Sequence, residues 1–322
     1  MFDVSVVIPT FNRWPMLAEA VASVMAQIAV DIELIIVDDG STDETAARLP
    51  SLAEALGTAQ RPLRILRTEN HGPAAARNRG FAASRASLVA FLDSDDLWLT
   101  RKLERQVGYM RKNPECLAMQ TEEIWIRDQV LVNPGRRHRK RNGDFFLDAL
   151  RTCLVSPSAV IMRTRAFEML GGFDEDMRAA EDYDLWLRLL LEHPVELLAE
   201  PLVIRRAGHP GQLSATVAAI DRFRILALLK LLRCDELNGQ KRDAVCDALI
   251  EKCGTYGKGS ARRGNTLQAD YMASLAEMGD TAWRRGPDRP LGDAVSAMRA
   301  ELAQVRAPVT EPQKKANELE SR

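Results

Sequence analysis

The chain has 322 residues, 46% of them hydrophobic, and a formal net charge of −1. That length holds one large domain or one domain with a helical appendage, and the balanced charge argues against a nucleic-acid partner. No apolar run reaches the length of a membrane span, and no charged-then-apolar leader precedes the first strand. The five cysteines are odd in number and lack paired metal spacing, so reduced, mostly buried thiols in the cytoplasm are expected.

Val4 to Ile8 reads as a buried first strand that stops at Pro9-Thr10-Phe11-Asn12-Arg13. Pro15, favoured at a helix start, opens a helix with apolar residues at Leu17, Val21, Val24 and Ile28. A second strand, Ile32 to Val37, ends in Asp38-Asp39-Gly40, and Ser41 with Glu44 has capping-box spacing for the next helix. Leu63 to Leu66 forms a third strand, followed by Asn70-His71-Gly72-Pro73 and an alanine-rich helix carrying Arg77, Asn78 and Arg79. A fourth strand, Leu88 to Leu92, runs into Asp93-Ser94-Asp95-Asp96. This alternation predicts an α/β fold with a parallel sheet and right-handed crossovers, its polar residues gathered at the carboxyl ends of the strands. Asp93 and Asp95, two apart, can both turn toward one hard cation such as magnesium or manganese. A solvated acidic turn is the competing reading.

The middle of the chain changes character. Cys116 to Thr121 and Glu123 to Arg127 read as two strands, with the basic run Arg136 to Arg141 in a loop beyond them. That run is either a solvated loop or an electropositive lip for a diphosphate-bearing acceptor or anionic lipid. Ser156-Pro157-Ser158 precedes a strand at Ala159 to Met162, and Thr164 caps a short helix that Gly171 ends. Glu181-Asp182-Tyr183-Asp184-Leu185-Trp186 starts a helix with Leu185, Trp186, Leu189 and Leu190 facing the core. On its own, the acidic first turn reads as a structural helix start favoured by the macrodipole. Pro201 to Arg206 is a last strand, followed by a glycine-flanked His209. From Asp221 the pattern is helical, with stretches at Asp243 to Tyr256 and Asn265 to Met278. The expected domains are 1–215, a helical extension 216–285 and a flexible tail 286–322. Within that tail only a helix around Asp293 to Val305 is anticipated, before a polar end from Ala307 to Arg322.

Four ordered segments resemble successive signatures of family 2 glycosyltransferases. They are Val6 to Arg13, Val37 to Asp43, Gly72 to Asn78, and Phe91-Leu92-Asp93-Ser94-Asp95-Asp96. The resemblance covers about residues 4–210 and implies a GT-A (Rossmann-like) fold, with a mostly parallel sheet flanked by helices. It also implies a nucleotide-sugar donor, a divalent metal (Mn2+ or Mg2+) and inversion at the anomeric carbon. Asp182 matches the family's catalytic base. Asp93, Asp95 and His209 match its metal site. Pro9, Thr10, Phe11, Arg13, Asp39, Arg77, Asp93 and Ser94 match positions around the nucleotide sugar. A uridine donor is favoured because Asp39 could accept from a ring N–H.

The function expected from these residues is transfer of a sugar to a hydroxyl of a cell-surface glycan or lipid-linked acceptor. The enzyme is expected in the cytoplasm, with peripheral contact at the inner face of the plasma membrane kept open. A sugar nucleotidyltransferase is disfavoured, since those enzymes usually open with a glycine-rich loop and Pro9-Thr10-Phe11-Asn12 has no glycine. An inactive nucleotide-sugar-binding scaffold would be expected to have lost Asp182 or a metal carboxylate, and both remain. Sugar identity, linkage and oligomeric state are not legible in the sequence.

Overall fold

The computed structural model describes residues 2–209, 212, 220–284 and 289–303. The anticipated boundary at 215/216, the Gly286-Pro287 break and the tail from Ala307 lie outside the described residues. The chain divides into two compact units, Met1–Ala207 and Gly208–Arg322.

The first unit opens as β1 (Val4–Thr10), α1 (Trp14–Met25), β2 (Ile32–Asp38), α2 (Glu44–Leu56), β3 (Leu63–Arg67) and α3 (Pro73–Ala82). Next come β4 (Leu88–Phe91), the short β5 (Leu97–Trp98), α4 (Lys102–Lys112), β6 (Ala118–Arg127) and β7 (Val130–Val132). It closes with α5 (Phe146–Ala149), β8 (Ile161–Arg163), α6 (Thr164–Met169), α7 (Glu181–Glu192) and β9 (Glu196–Ala207). The strands form one sheet in the order β3-β2-β1-β4-β8-β6-β9-β5, with β7 on β6.

The half β3-β2-β1-β4 is parallel. Every residue of β1, β2 and β4 is buried, which is why these strands read as apolar runs rather than alternating ones. Leu17, Ala20, Val21 and Val24 form the buried stripe of α1 and pack with β1 in the main core. On α3, a Cβ at Gly80 would run into Val7 of β1, so glycine lets the helix lie close to the sheet. Past β4 the direction reverses: β8 is antiparallel to both β4 and β6, while β9 runs parallel to β6. The carboxyl ends of β1, β2 and β4 therefore share one edge, where ligands of open α/β sheets collect.

Several local expectations change. The two strands expected at 116–127 are one strand whose register against β9 slips around Glu122, and this bulge breaks the alternation. The cap of α2 is Asp43, which accepts the Thr45 N–H at 2.9 Å, rather than Ser41. Ser41 is instead used across loops, its hydroxyl accepting the Asn12 N–H at 2.9 Å. Pro157–Ala159 forms a 3₁₀ turn, so the next strand begins at Ile161. Thr164 is the first residue of α6 and its hydroxyl donates to Ser87 O, leaving that helix without a side-chain cap. The basic run contains a short 3₁₀ turn at Arg136–His138, and its Lys140 is buried.

The second unit consists, among the described residues, of helices Asp221–Leu231, Gly239–Arg262, Thr266–Thr281 and Arg289–Ala303. The first buries Phe223, Ile225, Leu226, Leu228, Leu229 and Leu231, the nearly all-round apolar pattern of a packed helix. The last falls inside the stretch expected to be a mostly flexible tail. No helix among the described residues is long and apolar enough to cross a membrane.

Candidate active site

The β1–α1 loop is fastened to the β2–α2 loop by Asn12, a non-glycine residue at φ 49°. Its Oδ1 accepts the N–H groups of Thr42 at 2.7 Å and Asp43 at 3.2 Å, which ties the two strand ends together. Asn and Asp tolerate this left-handed region better than other side chains. Thr10 and Asp39 lie at these ends, joined by a backbone bond from Asp39 N to Thr10 O of 2.9 Å. The Thr10 hydroxyl is buried with no hydrogen-bond partner among the described residues. Pro9 is buried beside it and Phe11 is half-buried at the mouth of the loop. The Asp39 carboxylate accepts the His71 N–H at 2.9 Å and the Gly72 N–H at 2.8 Å, holding the loop that leads into α3. Burial raises its pKa above the ordinary carboxylate value, although these two N–H groups pull the other way.

At the end of β4, oxygens of Asp93, Asp95 and Asp96 lie within 4.8 Å of one another. Their environments differ. The Asp93 and Asp95 side chains are partly exposed, 32% and 19% respectively, and Asp95 pairs with Arg13. Asp96 is buried and structurally engaged: it accepts the Ser158 hydroxyl at 2.6 Å and the Arg206 N–H at 2.9 Å. Burial, then the neighbouring Asp95 and Asp93, push its carboxyl well up. The Ser158 hydroxyl also accepts the Asp93 N–H at 3.1 Å, so the 3₁₀ turn at Pro157–Ala159 sets the shape of the acidic loop. Ser94 is buried within that loop.

Arg77 connects this loop to α7. Its guanidinium donates to Asp93 at 2.6 Å and to Glu181 at 2.7 Å while almost fully buried. Burial alone would lower its pKa, but Asp93 and Glu181 outweigh that and hold it charged. Burial raises the Glu181 carboxyl, with Arg77 opposing and Asp182 adding to the rise. Next to Arg77, Asn78 clamps the Gly171-Gly172-Phe173 turn: it accepts the Phe173 N–H at 2.9 Å and donates to Phe173 O at 2.8 Å. That turn precedes α7, so consecutive residues of α3 fix where α7 begins.

Asp182 lies in the first turn of α7, partly exposed, with Oδ1 accepting the Tyr183 N–H at 2.7 Å. The Cys153 thiol approaches its Oδ2 at 3.5 Å, and burial, then Asp182, keep that thiol protonated. Asp184 is structural, paired with Arg188 at 2.8 Å.

The structure therefore joins Arg13 to Asp95 and Arg77 to Asp93, and fixes Asp39 and Thr10 at adjoining strand ends. His209 follows Gly208 at the start of the second unit and is not among the three clustered carboxylates. Sequence reasoning gave no role to Asp96, Ser158, Asn78 or Cys153, and treated Glu181 only as the neighbour of Asp182. The adjacency of Asp96 to the Asp-x-Asp pair was a usable signal. The partners of Ser158 and Asn78 are too distant in sequence to leave one. As a donor set, partly exposed carboxylates of this spacing fit a hard divalent cation of the magnesium or manganese type.

Residues 5–170 match the model of Glycosyl transferase family 2, just over half of the chain. An uncharacterized glycosyltransferase of Rickettsia felis is 31% identical over 192 residues, 60% of this chain and 31% of that protein. The chain thus spans less than a third of the length of the first curated relatives it matches. A UDP-Glc:alpha-D-GlcNAc-diphosphoundecaprenol beta-1,3-glucosyltransferase, WfgD of Escherichia coli, is 28% identical over 197 residues, 61% of this chain and 72% of WfgD. Among solved structures, S. aureus TarS 1-349 in complex with UDP-GlcNAc aligns with a TM-score of 0.59 at 17% identity, covering 85% of this chain and 90% of that one. That likeness shows a shared GT-A fold. With its family motifs at the carboxyl ends of β1, β2 and β4, the chain belongs to glycosyl transferase family 2.

Proposed function

We propose that the protein is an inverting glycosyltransferase that moves a sugar from a nucleoside diphosphate, UDP favoured, to a hydroxyl of a cell-surface glycan or lipid-linked acceptor. The observation that carries this reading is the buried Arg77 bridge, which ties Asp93 of the acidic loop to Glu181, the residue beside Asp182. The carboxylates suited to a cation and the carboxylate suited to a base are thereby linked through one side chain. A scaffold that only binds nucleotide has no need of that linkage.

In this reading Pro9, Thr10, Phe11 and Asp39 receive the nucleoside. The orphan Thr10 hydroxyl offers an unused donor and acceptor there. Asp39 already accepts two backbone N–H groups, and each of its oxygens keeps a second lone pair for a ring N–H. Asp93 and Asp95 would hold magnesium or manganese. When bound, such an ion supplies Lewis-acid neutralisation of the leaving diphosphate. Arg13, Arg77 and Ser94 border the same diphosphate, Arg77 chiefly by holding Asp93 in place. Asp182 takes the proton from the acceptor hydroxyl as its oxygen bonds to the anomeric carbon and the bond to the diphosphate breaks. One displacement from the face opposite the leaving group inverts the centre and requires no covalent sugar–enzyme intermediate.

The UDP-Glc donor of WfgD and the UDP-GlcNAc bound to TarS support the uridine preference, and the diphosphoundecaprenol of WfgD supports a lipid-linked acceptor. A cytoplasmic site of action, peripheral to the inner face of the plasma membrane, accords with such an acceptor. Thermal shift against a panel of nucleoside diphosphates and their sugars, with and without manganese, tests the proposal. A metal-dependent rise with one nucleotide is expected, because a ligand bound only by the folded state raises the midpoint by mass action. No rise with any of them would overturn it.

A further inference from the structure

We propose that a cavity between the β6–β7 hairpin and the basic turn at Arg136–His138 binds the diphosphate of the acceptor. This rests on the glycosyltransferase reading above and adds to it the feature by which the acceptor is recognised. The cavity has a volume of about 710 Å³, and its lining includes Glu122, Glu123, Trp125, Arg136, Arg139 and Lys140. Binding pockets for small molecules occupy this size range.

Its floor is a finished polar network. Glu123 and Lys140, with side chains 3% and 5% exposed, form an ion pair at 3.0 Å. The Lys140 ammonium also donates to Gln120 at 3.1 Å and Ser156 at 3.4 Å, and Trp125 Nε1 donates to Glu123 at 2.9 Å. These charges cancel. What remains on the lining is one carboxylate, Glu122, against Arg136 and Arg139, which are exposed and in no ion pair among the described residues. The surplus is positive and is carried by guanidinium groups, whose planar fork suits phosphate oxygens.

The cavity is connected to the acidic site through one short turn. Ser156 accepts from Lys140 of the cavity lining, and two residues later Ser158 holds Asp93 and Asp96. Arg205 lies over Trp125 at 4.7 Å and within 4.0 Å of Glu123. Burial opposes its charge, but Glu123, Asp96, Asp93 and Asp182 together sustain it, so one side chain feels both the cavity and the proposed base. In the sheet order β6 lies on the far side of β4 from β1 and β2. The nucleotide is proposed to lie at β1 and β2, which leaves the β6 side for the acceptor.

The test uses the full chain saturated with UDP in excess manganese, titrated calorimetrically with decyl diphosphate and with methyl diphosphate. Both probes carry the same head group. Stronger binding of decyl diphosphate assigns a lipid-linked acceptor, and equal binding assigns a soluble sugar diphosphate; either result supports the site. Replacing both arginines (Arg136→Gln with Arg139→Gln) should weaken the probe by about 10- to 100-fold, the loss expected for two charge-assisted contacts. UDP affinity should not change, and Arg127→Gln, on the same hairpin but outside the cavity lining, should bind the probe as the wild type does. Bound UDP with no affinity for either probe, or unchanged affinity in the double variant, would overturn this inference alone. Failure to bind UDP or any other nucleotide would remove the glycosyltransferase reading first.

Discussion

Arg77 donates to Glu181 at 2.7 Å, joining the middle of α3 to the first residue of α7 across 104 positions of sequence. Its second terminal nitrogen reaches Asp93, so its removal leaves two carboxylates without their cation. Arg77→Ala should therefore cost about 3–5 kcal/mol in urea denaturation, the range for breaking a buried ion pair from one side. Arg77→Lys should recover little, because an ammonium cannot fork between both partners. A double-mutant cycle of Arg77→Ala and Glu181→Ala should give a coupling of about 0.5–3 kcal/mol. Simple additivity would show that the bridge contributes nothing specific.

Asp182 is proposed to act only on the proton of the acceptor. Asp182→Asn should slow turnover by about 10²- to 10⁴-fold, the usual contribution of a general base. Its affinity for the nucleotide should match that of the wild type. The check is initial rate of nucleotide release beside calorimetric binding in the same preparation.

The Glu123–Lys140 pair makes stability depend on acid. Burial alone would raise the Glu123 carboxyl, but Lys140, then Arg205, outweigh it and hold it at about 2 against an ordinary 4.5. A carboxyl depressed in the folded state contributes stability that is complete above its unfolded value and lost as pH falls toward its folded one. Glu123→Gln should thus be destabilised by about 3–5 kcal/mol at neutral pH, where it strands Lys140. The gap to the wild type should narrow between pH 4.5 and 2. A gap that stays constant over that window would show that the pair does not titrate as described.

Asn12 combines a left-handed backbone with bonds to Thr42 and Asp43. Asn12→Ala should cost about 1–3 kcal/mol through lost hydrogen bonds and backbone strain. Asn12→Gly, which relieves only the strain, should fall between. Equal losses for both would assign the whole effect to the hydrogen bonds.

The parallel half of the sheet was legible because β1, β2 and β4 are buried on both faces and read as apolar runs that end abruptly in polar residues. The clustering of acidic residues at the end of β4 was legible for the same reason, since that motif is contiguous. Contacts between loops were not. Ser41 looked like a cap because its partner Asn12 lies 29 residues away, and Asp96 received no role because its partner Ser158 lies 62 residues away. The bulge near Glu122 divided one strand into two apparent ones. Lys140 sat in a run of cations that reads as surface, and only the fold shows Glu123 buried against it.

The most direct test of the account is calorimetric titration of UDP with and without manganese, in the wild type, Asp95→Ala and Asp182→Asn. The account predicts metal-dependent binding in the wild type, kept in Asp182→Asn and lost in Asp95→Ala. UDP binding that ignores the metal, or that survives in Asp95→Ala and disappears in Asp182→Asn, would contradict it.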